Sequence, residues 1–349
     1  MQQSHNLKVK NITRETDTAV SIAFEVPESL QNEFQFEAGQ YITLEKEING
    51  KKVRRAYSLC STPESDELRV AVKAVKDGVF SEYANRQLNA GDTLKVFTPE
   101  GKFTLSPNPS NQKIYAAFAA GSGITPVLSI LKTVLEKEPQ SSFLLVYGNK
   151  SPEQTIFLKP LMDLQAHYPE RFFLELVFSQ SQEKNWQFGR ISTSIANYFL
   201  KNKYKHLSID KFYLCGPEGM IDELKNTLKS NGVAEKNIKF ELFTSTDSGA
   251  VSAGADGTTS LSITLDDEVT TFVMPQSKSV LDAALDHNLD PPYSCQGGIC
   301  SSCIAKITEG KAEMRKNQIL TDGEIAEGLI LTCQAHPTTS VLKVDYDDV

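Results

Sequence analysis

The sequence has few cysteines, a single tryptophan and no uninterrupted long apolar run. Six cysteines in 349 residues are too few for the disulfide framework of a small secreted domain. The most apolar stretch, residues 114–131, is interrupted by Gly121, Gly123 and Pro126, so it does not predict a membrane-spanning helix. The N-terminal segment lacks the apolar core of a signal peptide. Together these absences predict a cytoplasmic protein that does not contact a membrane.

Positive charge is also in deficit, because 36 Lys and Arg stand against 44 Asp and Glu, a formal net charge of -8. This balance argues against a nucleic-acid partner, which needs a basic face. Residues 260–349 contain 14 acidic and 6 basic residues, so they carry the whole excess of negative charge. Such a module is usually a solvated surface, but it can also attract a basic partner. The five histidines lack HxxxH or HExxH spacing and no GxSxG occurs, which argues against zinc proteases and hydrolases.

The chain is longer than one ordinary domain. Short alternating runs up to about residue 105 are typical of antiparallel strands. After the Pro- and Asn-rich segment 106–112, apolar strands alternate with helical patterns, which predicts a parallel sheet. Residues 244–260 are rich in Ser, Gly, Ala and Thr and predict a flexible tether, followed by a compact α+β pattern.

Four of the six cysteines lie near the C-terminus, in the spacing CxxxxCxxC followed by a fourth cysteine after 29 residues. This is the plant-type spacing for a [2Fe-2S] cluster, which takes four thiolates. We expect Gly297 and Gly298 to adopt the positive φ angles that let the loop wrap a cluster. The alternatives are a four-cysteine zinc site, which usually has two CxxC knuckles where this chain has one, or a CxxC redox pair. The predicted ligands are Cys295, Cys300, Cys303 and Cys333.

A second motif, RAYS, lies in a strand-like segment. Alternate strand residues share a face, so Arg55 and Tyr57 project together while Ser58 offers its hydroxyl and backbone. A cation, an aromatic ring and a small donor suit the phosphate and ring of a flavin, although an exposed strand with a surface arginine would show the same pattern. Downstream, Gly78 opens a turn and Ser81 can cap a helix that begins at the following residue, where free amides suit a phosphate.

A third motif, GSGITP, follows an apolar strand and precedes a helix predicted from Val127 to Leu135. Pro126 replaces the third glycine of GxGxxG, but a proline in the first helical turn lacks only an amide that would be unpaired. The turn can present amides to a pyrophosphate, or it can be a tight turn without a ligand. CGPEGM ends a later strand, so Cys215 should face the same crevice, although a lone buried cysteine is more often packing.

Taken in order, RAYS, GVFS, GSGITP, CGPEGM and the cysteine set resemble the ferredoxin-NADP reductase family with a C-terminal [2Fe-2S] ferredoxin domain. The resemblance covers nearly the whole chain. It is greatest to oxygenase reductases, first those of phenylacetyl-CoA epoxidases and next those of ring-hydroxylating and steroid hydroxylases. It implies a multidomain protein with an antiparallel six-stranded β-barrel FAD domain (1–107), an α/β parallel-sheet NAD(P)-binding domain (108–244), a flexible linker (245–259) and an α+β ferredoxin-like (β-grasp) [2Fe-2S] domain (260–349).

The resemblance also implies site residues. Tyr57 would cover one flavin face, Ser58 would lie near the reactive nitrogen, and Cys215 would lie beside the nicotinamide ring. The implied catalytic residues are Tyr57, Ser58, Cys215 and Glu241. The implied flavin residues are Arg55, Ala56, Tyr57, Ser58, Val72, Lys73, Gly78, Val79, Phe80, Ser81 and Phe243. The implied nucleotide residues are Gly121, Gly123, Thr125, Pro126, Lys150, Ser179, Arg190, Cys215, Gly216 and Pro217.

The implied reaction passes electrons from NAD(P)H to FAD, which releases them singly through the cluster to a partner oxygenase. Basic residues at Lys150 and Arg190 favour NADPH, but Gln180 stands where a stronger NADP signature has Arg, so NADH stays possible. We expect the reductase to be monomeric on its own. A non-catalytic module that senses nucleotides and holds a structural metal is the alternative of another class, and a colourless preparation containing zinc would identify it.

Overall fold

The computed structural model describes residues 3–182, 184–243 and 257–349. These residues form two compact units, 3–243 and 257–349. Most of the predicted linker, residues 245–259, lies outside the described residues, but its last two residues belong to a strand that begins at Thr258. Thr259 is fully buried, and its hydroxyl donates to the Thr339 carbonyl (2.5 Å). The linker prediction was therefore wrong at its C-terminal end, because pairing with a distant strand extends the sheet into it.

The first unit begins with six antiparallel strands and a short helix. Their bounds are β1 (Ser4–Thr16), β2 (Ala19–Glu25), β3 (Tyr41–Ile48), β4 (Lys51–Ser58), β5 (Leu68–Lys73), α1 (Val79–Arg86) and β6 (Thr93–Phe97). The strand order is β4-β3-β6-β1-β2-β5, and a bridge from Leu59 to Val70 joins the two edges. Ile22, Val70 and Val96 are fully buried inside. The predicted six-stranded barrel is confirmed.

The barrel helix begins earlier than the sequence predicted. Helix α1 begins at Val79 with Gly78 at its N-cap position. Ser81 therefore lies inside the first turn, and the prediction that it caps the helix was wrong. Its hydroxyl donates to the Gly78 carbonyl (3.1 Å) and accepts from the Val75 amide (3.2 Å). A Cβ on Gly78 would lie 2.4 Å from this hydroxyl, so the glycine lets the turn close tightly enough to start the helix there.

A parallel six-stranded sheet follows the barrel. Its elements are β7 (Ile114–Ala120), α2 (Ile124–Lys137), β8 (Ser142–Asn149), α3 (Leu158–His167), β9 (Phe172–Phe178), β10 (Gln187–Phe188), α4 (Thr193–Asn197), a π-helical turn (Tyr198–Lys203), β11 (Lys211–Gly216), α5 (Glu218–Ser230) and β12 (Ile238–Leu242). The order is β10-β9-β8-β7-β11-β12, so the chain switches direction across the sheet at β7. Ligands bind beyond the carboxyl ends of strands at such a point.

One hydrophobic core runs from the barrel into the parallel sheet. It joins barrel residues such as Ala38 and Phe103 to sheet and helix residues such as Ile130 and Tyr213. The Phe103 and Tyr213 rings meet edge to face, with centroids 5.4 Å apart. The buried Ser129 hydroxyl on α2 donates to a barrel carbonyl, that of residue 61 (2.6 Å). Shared apolar burial of this kind holds the barrel and the sheet together as one body.

A buried carboxylate fixes the connector between barrel and sheet. Glu138 is fully buried. It accepts hydrogen bonds from the Asn108 amide (3.0 Å), Asn111 Nδ2 (2.7 Å), the Tyr115 hydroxyl (2.9 Å) and the Ser141 hydroxyl (2.7 Å). A buried charge is tolerated when such donors replace its hydration. The predicted domain boundary at 107/108 falls in this connector and stays a prediction.

The second unit is an α+β domain. Its elements are β13 (Thr258–Leu265), β14 (Glu268–Pro275), α6 (Val280–Asp286), β15 (Ile304–Glu309), β16 (Ala312–Met314), α7 (Asp322–Ala326), β17 (Leu329–Leu331), β18 (Ala335–Pro337) and β19 (Val341–Asp345). The main sheet has the order β14-β13-β19-β15-β17, with β13 and β19 parallel. Val280 and Ala284 of α6 pack on Leu261 and Ile263, as the predicted β-grasp requires. None of the helices in the described ranges is long and apolar enough to cross a membrane.

Candidate functional site

Three of the four predicted catalytic residues meet where the barrel joins the parallel sheet. Ser58, the last residue of β4, is buried and donates a hydrogen bond to the Glu241 carboxylate (3.2 Å). Glu241 lies on β12 directly beside Cys215 on the parallel strand β11. Tyr57, the fourth, precedes Ser58 on β4. The structure therefore brings a hydroxyl, a carboxylate and a thiol together, with Tyr57 as the chain neighbour of Ser58.

The Cys215 thiol is held in its neutral form. It is fully buried, and burial, followed by the charge of Glu241, raises the pKa of Cys215 well above its usual value. The backbone of Cys215 also touches the GSG turn, since a Cβ on Gly123 would lie only 2.3 Å from the Cys215 carbonyl oxygen. Glycine at position 123 is therefore what lets the two motifs approach each other.

An aromatic surface lies beside the start of α1. The Tyr57 ring lies 5.6 Å from the ring of Phe80, and their planes are tilted by 36°. Burial raises the pKa of Tyr57, with Arg55 opposing the shift, so the ring is neutral at ordinary pH. Arg55 also donates to the Arg54 carbonyl (2.6 Å). The neutral aromatic ring suits the ring system of a flavin nucleotide. The cation and the helix N-terminus suit its phosphates.

The other predicted flavin residues are distributed unevenly around this surface. Ala56 is half-buried, Val79 is exposed, and Phe243 packs against the shared core. Val72 differs, because its side chain is fully buried in the barrel core and its carbonyl accepts from Asn85 Nδ2 (3.1 Å). The structure therefore does not place the Val72 side chain with the others.

The GSGITP segment forms one 3-10 turn, residues 121–123, that continues directly into α2. The helix begins at Ile124, three residues before the predicted start. Thr125 and Pro126 are buried in its first turn, and the Thr125 hydroxyl donates to the Ser122 carbonyl (3.0 Å). The Tyr147 hydroxyl donates to the Gly121 carbonyl (2.9 Å) and fixes the turn. Sequence reasoning missed Tyr147, although its place near the end of the next apolar strand was a usable signal.

The predicted nucleotide residues line the carboxyl edge of the parallel sheet. Lys150 follows β8, Ser179 follows β9 and Arg190 follows β10. The Ser179 amide donates to the carbonyl of residue 149 (3.0 Å), which brings the ends of β8 and β9 together. Lys150 and Arg190 are exposed and open to a phosphate. Gly216 ends β11 at the same edge, and Pro217 is the N-cap of α5.

The four C-terminal thiols are free and lie on one loop and the segment after β17. They influence one another in two pairs, because Cys300 lowers the pKa of the Cys295 thiol and Cys333 raises the pKa of the Cys303 thiol. The amide of residue 297 donates to the Cys295 sulfur (3.3 Å). No three His, Cys, Asp or Glu side chains in the described ranges converge as a single metal ion requires. Four thiolates are the ligand count that a [2Fe-2S] cluster takes, and an amide that points at a sulfur is typical of the residues around such a cluster.

The loop conformation differs from the prediction at one position. Gly298 has the predicted positive φ (71°), but its partner is Gln296 (φ 55°) and not Gly297. The Gln296 carbonyl accepts from Gln334 Nε2 (3.0 Å), which holds that residue in the left-handed region. A Cβ on Gly298 would lie 2.6 Å from the Lys316 carbonyl oxygen, so glycine is required there.

Three family models match consecutive parts of the chain. They are an oxidoreductase FAD-binding domain (residues 6–105), an oxidoreductase NAD-binding domain (118–226) and a 2Fe-2S iron-sulfur cluster binding domain (263–338). The chain is 38% identical to a 1,2-phenylacetyl-CoA epoxidase subunit from Escherichia coli (strain K12), over 99% of both proteins. The chain belongs to the ferredoxin-NADP reductase family. This reductase therefore uses FAD, a [2Fe-2S] cluster and a pyridine nucleotide, and the zinc alternative is set aside.

Further relatives of this reductase are also oxygenase reductases. It is 33% identical to the ferredoxin reductase component of 3-ketosteroid-9-alpha-monooxygenase from Rhodococcus rhodochrous, over 97% of this chain and 96% of that protein. The structure of phthalate dioxygenase reductase shares its fold, with a TM-score of 0.65, 23% identity and 98% of both chains covered. The three-domain prediction is therefore confirmed, and the non-catalytic alternative is excluded.

Proposed function

We propose that this reductase supplies electrons to the oxygenase component of a phenylacetyl-CoA epoxidase, in phenylacetate catabolism. The path from NAD(P)H through FAD to the [2Fe-2S] cluster is that of its family. The acceptor is the proposal, and 38% identity over 99% of both chains to the Escherichia coli epoxidase subunit is the observation that carries it. The second candidate acceptor is a steroid monooxygenase, which the 33% identity to the Rhodococcus rhodochrous component supports.

The residues where the barrel joins the parallel sheet would serve hydride transfer. Bound FAD supplies the chemistry that turns a two-electron donor into single electrons. Tyr57 would cover the flavin, and the Ser58 hydroxyl, now paired with Glu241, would lie at its reactive edge. The neutral Cys215 thiol would place no negative charge beside the hydride donor. The apolar core that the barrel and the sheet share would hold these groups in fixed positions and exclude water.

NADPH is the proposed donor, because Lys150 and Arg190 are exposed cations at the strand ends. Steady-state reduction of a dye with NADPH and with NADH tests this preference, and a lower KM for NADH would contradict it. The cytoplasmic location and the monomeric state stay predictions.

Reconstitution tests the acceptor. The purified reductase is mixed with the oxygenase subunits of the Escherichia coli epoxidase, NADPH, O2 and phenylacetyl-CoA, and the addition of one oxygen atom to the thioester is followed by mass spectrometry. We expect NADPH oxidation coupled to thioester conversion at a rate within about tenfold of that given by the native Escherichia coli relative, since tenfold corresponds to only about 1.4 kcal/mol of barrier or docking energy. Turnover with the Rhodococcus steroid oxygenase and none with the epoxidase would overturn the assignment.

A further inference from the structure

The side chain of Gln334 connects the two segments that carry the cluster cysteines. Gln334 directly follows Cys333, and Gln296 directly follows Cys295. Gln334 Nε2 donates to the Gln296 carbonyl (3.0 Å), across 38 positions of the chain. The bond therefore joins the residue after the fourth cysteine to the residue after the first.

The carbonyl that accepts this bond belongs to a peptide group that also faces a cysteine. The planar group between residues 296 and 297 contains the Gln296 carbonyl and the Gly297 N–H. Its N–H donates to the Cys295 sulfur (3.3 Å). Since the group is planar, the Gln334 amide at its oxygen fixes the direction of the N–H at the other end. A donor at the carbonyl also polarises the group and strengthens the N–H as a donor.

The Gln334 side chain is itself held in place. The backbone amide of Gln334 donates to the Leu331 carbonyl (2.9 Å), and its carbonyl accepts from the Arg315 amide (3.0 Å). Its Cγ lies 3.0 Å from the position that a Cβ on Gly298 would occupy, so the stem packs on the glycine of the same loop. The half-buried side chain therefore has little freedom to leave the Gln296 carbonyl.

We propose that Gln334 is a positioning residue that sets the reduction potential of the [2Fe-2S] cluster through the peptide group between residues 296 and 297. The reduced cluster carries one more negative charge, and N–H groups that point at its sulfur ligands favour that state. A weaker bond from the Gly297 N–H to sulfur makes the cluster harder to reduce. The inference rests on the [2Fe-2S] assignment and not on the proposed acceptor, so the two can fail separately.

The experiment compares the reduction potential of the cluster in the unmodified holoprotein, Q334M, Q334E and Q276M. An anaerobic redox titration followed by low-temperature EPR measures the reduced cluster apart from the flavin. Q334M removes the donor but keeps the length of the side chain. We expect its equilibrium constant for reduction to fall at least about threefold, or about 28 mV, since tenfold is about 59 mV for one electron. Q334E should lower the potential further, because it also adds a negative charge.

Gln276 provides the matched control in the same domain. Its Nε2 donates to the Thr339 carbonyl (3.2 Å), which is a bond of the same kind. That carbonyl does not belong to a peptide group beside a cysteine. Q276M should therefore leave the potential unchanged. Iron and sulfide are measured in every variant, so that only proteins with a complete cluster are compared.

Three results overturn the proposal. The first is an unchanged potential in Q334M. The second is a lower potential in Q334E alone, which assigns the effect to charge. The third is an equal fall in Q276M, which assigns it to a general loss of stability. If Q334M does not assemble the cluster, Q334N replaces it, because the shorter side chain moves the amide away from the Gln296 carbonyl. An unchanged potential in Q334N then rejects the role of Gln334.

Discussion

Cys60 and Cys215 are buried thiols outside the cluster loop, and both are predicted to be unreactive. Burial raises the pKa of Cys60 to about 12, and its thiol donates to the Arg69 carbonyl (3.3 Å). The thiolate is the reactive form. In the folded holoprotein at pH 8 we therefore expect iodoacetamide to modify neither residue. Labelling of Cys60 should rise only as the pH approaches 12.

Peptide mass spectrometry measures this labelling, and the same protein in urea provides the fully reactive control. Rapid modification of Cys215 at pH 8 in the folded state would contradict a neutral, enclosed thiol.

Glu138 shows how one charge can be central to stability without any part in catalysis. Four donors converge on its carboxylate, and an amide could accept only at its single oxygen. We expect E138Q to lower the free energy of unfolding by about 3 kcal/mol, since buried donors lose a charged acceptor. Urea unfolding measures the change. The exposed Glu136, in the last turn of α2 and two residues before Glu138, is the control, and E136Q should cost less than about 0.5 kcal/mol. Equal effects would reject the role of the buried network.

At the scale of elements, the contact between the GSG turn and β11 leaves the least space for a side chain. A Cβ at position 123 would overlap the Cys215 carbonyl, so G123A must push the turn away from the strand. We expect the KM for NADPH to rise at least tenfold, since a small displacement at a site costs about 1.4 kcal/mol or more. FAD and the cluster should be retained. Dye reduction at varied NADPH measures the KM.

The control for this substitution lies in the next helix. Gly219 in α5 has nothing within 4 Å of its Cβ position, so G219A should leave the KM unchanged. An unchanged KM in G123A would show that the close contact has no bearing on nucleotide binding.

Strand positions were largely predictable, and element ends were less so. The strand Phe172–Phe178 is one of the predicted apolar strands, because six of its seven residues are apolar and such a run is a local signal. The start of α1, the left-handed Gln296 and the strand beginning at Thr258 were not predicted. Each depends on contacts that local patterns do not contain, such as the bond from Thr259 to Thr339, eighty residues away.

For the whole molecule, the order of cofactors predicts a separation of activities. Cys300 is buried in the cysteine-containing loop 295–303, and Cys295 raises the pKa of its thiol. In C300S a hydroxyl replaces a thiolate ligand, so we expect cytochrome c reduction to fall at least tenfold, an energy of about 1.4 kcal/mol or more. Reduction of the two-electron dye dichlorophenolindophenol by NADPH should survive, because it needs only the flavin.

The neighbouring Ser301 provides the matched control, and S301A should preserve both activities. Equal loss of dye and cytochrome c reduction in C300S would contradict the division of labour between the two units.

The three-domain organisation was predictable because each domain carries its own motif in chain order. The joining of the first two domains was not, since it depends on packing between residues as distant as Phe103 and Tyr213. The same holds for the site. Sequence identified Ser58 and Glu241 separately, but only the fold shows that they hydrogen-bond. The approach of Lys73 from the barrel to the Gly121 turn, with its Nζ 3.7 Å from the position that a Cβ on Gly121 would occupy, likewise has no local signature.

The apolar core that barrel and sheet share decides which parts could be exchanged between related reductases. Transplanting only the nucleotide-binding sheet would leave Phe103, Ala38 and their neighbours facing foreign side chains, so the recombination point should not fall between the two. A chimera that moves residues 3–243 together keeps every contact of that core. The choice of partner oxygenase could then be altered by replacing the cluster domain alone. The choice of nucleotide donor would be transferred with the barrel and the sheet together.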